Sequence, residues 1–244
     1  LRLVAVLGAG YEACDPHALR RRGIALVNAE GMNAPDVAEL AIGLLLSVWR
    51  GIASRDAWIR AGSWTRQAGP RHRFSGTRLG IVGMGAIGRA VAVRAEAFGV
   101  EVAWFGPRPK DVGWRHEPDL LELARWADSV VVAARPTADN RNMIGDAFLN
   151  ALGPRGVLVN VSRGSLVDEP ALIAALWEGR IAGAGLDVFA REPLDPEAWR
   201  DVPNTVLHPH AGGATQEALS DGCDAAIENL RRAFGGEPLL NLVN

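Results

Sequence analysis

Three polar side chains follow three successive apolar runs in this chain. Arg163 lies in Val159-Asn160-Val161-Ser162-Arg163-Gly164, Glu192 in Leu186-Asp187-Val188-Phe189-Ala190-Arg191-Glu192-Pro193, and His210 in His208-Pro209-His210-Ala211-Gly212-Gly213. Each type meets one requirement of reducing a 2-oxo acid. A planar guanidinium matches a carboxylate through a fork of N–H donors, which suits Arg163 to a substrate carboxylate. An imidazole titrates near neutral pH, so His210 can give a proton to a carbonyl oxygen. Glu192 can bond the far ring nitrogen, orient the imidazole and favour its charged form. Taken singly, each has a plainer reading: a surface charge, a turn cap, a satisfied loop histidine. Their recurrence after consecutive strands is what points to one site.

A second pattern supplies the partner for that chemistry. Leu79-Gly80-Ile81-Val82 runs into Gly83-Met84-Gly85-Ala86-Ile87-Gly88, a G-x-G-x-x-G spacing between a strand and an Ala/Val/Arg-rich helix. In such a turn Gly83 permits the tight bend and Gly85 lets a pyrophosphate approach the backbone. Gly88 lets helix and strand pack closely, and the helix N-terminus at Ala86 and Ile87 offers free N–H groups. These residues are read as a dinucleotide site. The following strand ends in Trp104-Phe105-Gly106-Pro107-Arg108-Pro109-Lys110, without the acid that normally receives the ribose hydroxyls of NAD. Gly106 stands in its place, and Arg108 and Lys110, the sole lysine of the chain, can partner a 2′-phosphate. NADP(H) is therefore the preferred cofactor, with NAD(H) the alternative.

The elements that position these residues alternate as βαβ units, which gives a parallel sheet covered on both faces. Strands are expected near Leu79–Gly83, Val100–Phe105, Ser129–Ala134, Gly156–Val161, Ala182–Val188 and Thr205–Leu207. Helices are expected near Ala86–Phe98, Pro118–Ala127, Asp146–Leu152, Asp168–Glu178 and Pro196–Arg200. Six strands with five crossovers make a Rossmann doubly wound sheet. Before it, Leu3–Leu7, a helix near Pro16–Arg22 and Ile24–Val27 form a separate small α/β piece. Pro35–Arg60 reads as one long amphipathic helix, Arg66–Ser75 as a solvated loop, and the tail from Thr215 as a helix packing onto the first thirty residues. The expected division is residues 32–214 for the dinucleotide domain, and 1–31 with 215–244 for part of a smaller, flavodoxin-like α/β substrate domain.

Composition sets bounds on partners. With 244 residues, 48% hydrophobic and 22% charged, the chain has the balance of a globular protein. A net charge of −2 leaves no basic footprint for nucleic acid or an anionic membrane surface. The apolar run Leu40–Trp49 is too short for a membrane span, which needs about 20 residues. Cys14 and Cys223 read as reduced thiols of a cytoplasmic protein. The chain begins at Leu1, within a strand-like run, and reads as lacking an N-terminal part.

Taken together, Gly8-Ala9-Gly10-Tyr11-Glu12, Asn33 through Glu39, the glycine loop, Asn160–Asp168, Leu186–Pro193 and His208–Thr215 resemble the D-isomer-specific 2-hydroxyacid dehydrogenases, in particular the glyoxylate/hydroxypyruvate reductase branch. The resemblance implies that Arg163, Glu192 and His210 are the catalytic arginine, glutamate and histidine. It implies that Asp187 holds the nicotinamide carboxamide and that Thr137, Val161 and Gly212 belong to the cofactor site. It further implies that the backbone at Ala9 and Gly10 receives the substrate carboxylate, alongside Arg163 and His210, and that the segment from Pro35 forms a homodimer. Two positions depart from the family: Arg135-Pro136-Thr137 replaces a Pro-Leu-Thr run, and His208 stands where threonine is usual and is given no catalytic role. Two other readings stay open: an NAD-dependent relative acting on a bulkier acid of the phenylpyruvate or phosphoglycerate type, and a non-catalytic corepressor-like module.

Overall fold

The computed structural model describes residues 1–64 and 69–244, so the first part of the loop expected at Arg66–Ser75 lies outside the described residues. The chain divides into two compact units, 38–212 and 1–37 with 213–244. The first division falls six residues later than the sequence places it (37 against 31) and the second two residues earlier (213 against 215). The reason is local. Gly213 has no Cβ, and one built there would lie 2.3 Å from the Asn33 amide nitrogen. The Thr215 hydroxyl donates to Asp36 Oδ1 at 2.6 Å. Residues 33–36 are thereby tied to the chain's last segment rather than to the sheet.

The larger unit is built on a parallel sheet. Its strands are β3 (Arg78–Val82), β4 (Glu101–Phe105), β5 (Arg115–His116), β6 (Ser129–Val132), β7 (Val157–Asn160), β8 (Gly183–Leu186) and β9 (Thr205–Leu207), in the order β5-β4-β3-β6-β7-β8-β9. All pair in parallel. The Val/Leu-rich strands β6 and β7 and the Gly/Ala-rich β8 are buried throughout, as strands covered on both faces must be. The order reverses between β3 and β6, the switch point beyond whose carboxyl ends ligands bind in open α/β sheets.

Among the described residues the sheet has seven strands where six were expected. β5 is two residues long and polar, so it carries no apolar run for sequence reading to detect. It pairs with Ala103 and Trp104, and the His116 ring packs on Trp104 with centroids 4.3 Å apart. His116 Nε2 also meets the Gly106 carbonyl at 3.0 Å.

The crossovers are α4 (Ala86–Glu96), α5 (Leu120–Trp126), α6 (Asp146–Leu152), α7 (Glu169–Trp177) and α8 (Pro196–Trp199). Asp119, Asp168 and Asp195 cap α5, α7 and α8 by accepting first-turn N–H groups, and Pro170 occupies the first turn of α7. The expected helix over Pro35–Arg60 is two helices, α2 (Ala34–Arg50) and α3 (Ile52–Arg60), bent by 63° at Gly51. Gly51 adopts φ +61°, the left-handed region that glycine enters without steric cost. Apolar residues continue on both sides of it, and a glycine inside a helix costs only about 1 kcal/mol, so periodicity alone does not reveal the break.

Within the larger unit α2 lies on the sheet, with Ala41, Leu44, Leu45, Val48 and Trp49 buried. Gly183 and Gly185 on β8 permit this approach, since a Cβ on either would come within 2.7 Å of Val48 or 2.9 Å of Leu44. The indole Nε1 of Trp49 donates to the buried Ser129 hydroxyl at 2.8 Å, tying α2 to the start of β6. No residue of α3 is buried.

The smaller unit pairs β1 (Leu3–Ala5) in parallel with β2 (Ala25–Val27), joined through α1 (Pro16–Arg21). The terminal helix α9 (Gln216–Gly235) packs here, with Gly222 against the Leu7 carbonyl. The last residues run along β2: Val243 N–H donates to Leu26 O at 2.8 Å, and Leu26 N–H donates to Asn244 Oδ1 at 2.8 Å. Among the described residues no single helix is long and apolar enough to cross a membrane.

The Trp49 bond gives a test of the packing. Trp49→Phe leaves the buried Ser129 hydroxyl without this donor, and we expect a loss of about 1–3 kcal/mol in urea denaturation, partly restored by adding Ser129→Ala.

Candidate active site

The glycine turn follows β3 at the switch point. Gly83 has φ +99°, and a Cβ there would lie 2.5 Å from Ala134 Cα. A Cβ on Gly88 would meet the Gly83 carbonyl oxygen at 2.1 Å, so the first turn of α4 sits directly against the loop. Gly85 differs: nothing lies within 4 Å of its missing Cβ. It is the N-cap of α4 and supplies no side-chain cap, so no cap side chain takes the N–H groups at the helix start, Ala86 and Ile87 among them. That arrangement fits a pyrophosphate.

At the end of β4, the structure shows why residue 106 is a glycine. A Cβ there would lie 2.9 Å from the Trp104 ring, so a carboxylate side chain has no room without displacing the indole. Arg108 is exposed. Lys110 is folded back, with Nζ donating to the Met84 carbonyl at 2.8 Å, and so braces the glycine turn as well as charging its rim. Thr137 caps a single 3₁₀ turn over Ala138–Asn140, while Val161 is buried at the end of β7.

Arg163 leaves the carboxyl end of β7 in a turn shaped by Asn160. The buried Asn160 accepts from the Ser162 N–H at 3.1 Å and donates to the Arg163 carbonyl at 3.0 Å, an Asx turn that fixes the arginine's backbone. Gly164 is then pressed against the chain carrying Glu192: a Cβ on it would lie 1.9 Å from the Phe189 carbonyl carbon. Glu169, at the start of α7, accepts from the Ala190 N–H and closes the same contact from the other side. Burial, and secondarily the charge of Glu192, hold the Glu169 carboxyl above its ordinary range despite the Ala190 bond.

Glu192 and His210 meet directly. Glu192 Oε2 is 2.6 Å from His210 Nδ1, while Oε1 accepts the Phe189 N–H at 2.9 Å. Burial works against the charged carboxylate, but the His210 bond, the Phe189 N–H and the charges of His210 and Arg163 outweigh it and hold Glu192 below its ordinary value. An ionised carboxylate only accepts, so His210 Nδ1 carries the hydrogen and Nε2 is the nitrogen left for other chemistry. Arg163 is close enough for its charge to act on Glu192, which draws all three expected residues into one neighbourhood.

Asp187, at the end of β8, is buried with its side chain 3% exposed. Oδ1 accepts from His208 Nδ1 at 2.6 Å and from Ala211 N–H at 2.9 Å; Oδ2 accepts from Gly212 N–H at 3.0 Å. Its backbone carbonyl takes the His210 N–H at 2.7 Å. Gly212 is required here, because a Cβ would lie 2.7 Å from Oδ2. A cavity of about 560 Å³ is lined by Phe189, Glu192, Leu194, Leu207, His208 and His210.

Ala9 and Gly10 belong to the smaller unit, on the loop after β1, where the Ala9 carbonyl accepts from Asn28 Nδ2 at 2.7 Å. Sequence reading did not single out Asn160, Gly164 or Glu169. Asn160 ending a buried strand was the one signal available. The other two matter through contacts between segments about 20 residues apart.

Comparison with known proteins identifies the family. A family model described as D-isomer specific 2-hydroxyacid dehydrogenase, NAD binding domain, matches residues 42–212. The chain belongs to that family. It is an NAD(P)-dependent oxidoreductase acting on hydroxy or oxo acids. A hydroxyphenylpyruvate reductase from Plectranthus scutellarioides is 41% identical over 245 residues, which cover 100% of this chain and 78% of the relative. A 2-ketogluconate reductase from Gluconobacter oxydans is 40% identical over 100% of this chain and 79% of its own length. Among solved structures, an NADPH-dependent glyoxylate/hydroxypyruvate reductase from Sinorhizobium meliloti, in complex with NADP and malonate, superposes with a TM-score of 0.91 at 40% identity, covering 100% of this chain and 77% of that one.

The lowered Glu192 pKa makes a prediction with a definite sign. A carboxyl held below its ordinary 4.5 contributes stability fully above that value and loses it as pH falls through the folded pKa. The difference in stability between the wild type and Glu192→Gln is therefore expected to be present above about pH 5 and to shrink as pH falls below about 4, measured by urea unfolding across the range.

Proposed function

We propose that this enzyme is a D-specific reductase of small 2-oxo acids, of the glyoxylate and hydroxypyruvate kind, with NADPH as its preferred reductant. The observation that carries the reading is the Glu192–His210 pair beside Arg163, at the carboxyl edge of a dinucleotide-binding sheet. When bound, the reduced nicotinamide supplies the hydride. Arg163 holds the substrate carboxylate by its guanidinium fork. His210, fixed at Nδ1 by Glu192, delivers a proton from Nε2 to the substrate oxygen, and Glu192 balances the imidazolium's charge. Asp187, with an acceptor position left on Oδ2, would hold the cofactor's carboxamide. Gly83, Gly85, Ala86, Ile87 and Gly88 take the pyrophosphate, and Thr137, Val161 and Gly212 complete the cofactor site. Ala9 and Gly10 keep the substrate-carboxylate role that the family resemblance implies.

The preference for NADPH rests on the end of β4, where Trp104 excludes a side chain at Gly106 and Arg108 is exposed nearby. The Sinorhizobium structure, with NADP, supports it. The hydroxyphenylpyruvate-reducing relative favours a second reading in which the acid is bulkier. We further propose a homodimer formed through the segment from Pro35, because α3 buries no residue and exposes Ile52, Trp58 and Ile59. Cys14 and Cys223 are both unpaired, in keeping with a cytoplasmic enzyme.

Parallel steady-state reduction of glyoxylate, hydroxypyruvate and hydroxyphenylpyruvate with NADPH and NADH tests this reading. NADPH and one of the two smaller acids are expected to give the highest kcat/KM, and a clear preference for NADH or the aromatic acid overturns it. Arg108→Ala is expected to weaken NADPH binding about tenfold and leave NADH unchanged, by fluorescence titration. His210→Ala is expected to lower kcat by about 10²–10⁴-fold while NADPH affinity is retained.

A further inference from the structure

The site contains a second imidazole–carboxylate pair that the chemistry above does not use. His208 follows β9, its backbone N–H donates to the Leu186 carbonyl at 2.8 Å, and its Nδ1 lies 2.6 Å from Asp187 Oδ1. The histidine side chain is 35% exposed and its partner 3%, so the bond shields one oxygen of a buried carboxylate. A carboxylate offers about four acceptor positions, two on each oxygen. His208 and the Ala211 N–H take both on Oδ1, and the Gly212 N–H takes one on Oδ2. What remains is a single acceptor position on Oδ2.

We infer that His208 is a positioning residue: by filling Oδ1 it leaves Asp187 one open acceptor position, on Oδ2, and thereby sets where a cofactor amide can bond. The inference rests on the proposal that Asp187 receives the cofactor carboxamide. It assigns a role to a residue at which this chain departs from the threonine usual in the family it resembles. Threonine is shorter and cannot place a ring N–H on Oδ1 from the same backbone position. Without the imidazole, Oδ1 gains an open position. With one acceptor position open on each oxygen, an amide or a water can then occupy either. Binding then carries the cost of ordering the group on each association. The turn carrying His210 is held independently, through the Asp187 carbonyl and the Ala211 and Gly212 N–H groups, so chemistry should suffer less than cofactor affinity.

Three substitutions separate this role from a merely structural one. In His208→Asn the side-chain amide nitrogen lies where Nδ1 lay; in His208→Gln it lies nearer the Nε2 position; His208→Leu has no donor. NADPH affinity is measured by quenching of tryptophan fluorescence, alongside steady-state kinetics. The expected pattern is a Kd and KM for NADPH raised about tenfold in His208→Leu and His208→Gln, restored to within about threefold of wild type in His208→Asn. At saturating NADPH, kcat stays within about threefold throughout. Wild-type affinity in His208→Leu, or rescue by Gln equal to that by Asn, overturns the inference. Should His208→Leu fail to fold, the Asn and Gln pair decides alone. A wild-type protein that binds neither NADPH nor NADH instead defeats the proposed function, which keeps the two failures apart.

Discussion

A buried carboxylate organises this site. Removing an ion such as Asp187 from water costs on the order of several kcal/mol unless charge-assisted bonds replace its hydration. Here the replacement comes from a single turn: the His208 ring and the N–H groups of Ala211 and Gly212. Because those donors lie on the segment after β9, satisfying Asp187 and shaping the 208–212 turn are one event. His210 is carried along, with φ +50° and its N–H on the Asp187 carbonyl. A non-glycine residue in the left-handed region is uncommon, and at this site the surrounding bonds over-determine it.

The second constraint is space. The loops after β3, β7, β8 and β9 come together because several positions have no side chain to hold them apart. Gly88 lies against the Gly83 carbonyl, Gly164 against the backbone of Phe189, and Gly212 against the Asp187 carboxylate. Each is a contact of backbone with its neighbour that a methyl group would block. Gly164 links the arginine loop to the glutamate loop, and the Glu169–Ala190 bond closes the same junction. Glu192 and His210 then meet at 2.6 Å, with the charge of Arg163 acting on Glu192. That is the condition under which a proton donor and a carboxylate clamp can act on one small molecule.

Much of this was legible in the chain. The β-branched runs and the glycine spacing at 83–88 each act within a few residues, and the elements they predict are present. Arg163, Glu192 and His210 could be named as candidates because chemistry limits which side chains can clamp a carboxylate or deliver a proton. Three features were not legible. β5 has only two polar residues and exists because His116 packs on Trp104. The break at Gly51 interrupts an apolar pattern that continues beyond it. The role of Gly164 depends on Phe189, a residue on another loop.

By itself, then, the sequence determined the strand and helix pattern, the dinucleotide turn and the identity of the groups that can do the chemistry. These are local matters of steric freedom, periodicity and intrinsic acidity. The tertiary structure decided what His208 meets, a residue given no role from sequence, whereas the Glu192–His210 pairing was already expected from residue types. It paired His208 with Asp187 and His210 with Glu192 because the end of β9 runs beside β8 in a fixed parallel register, Leu186 opposite Leu207. Hydrogen bonds across a sheet depend on that register, and no spacing along the chain encodes it.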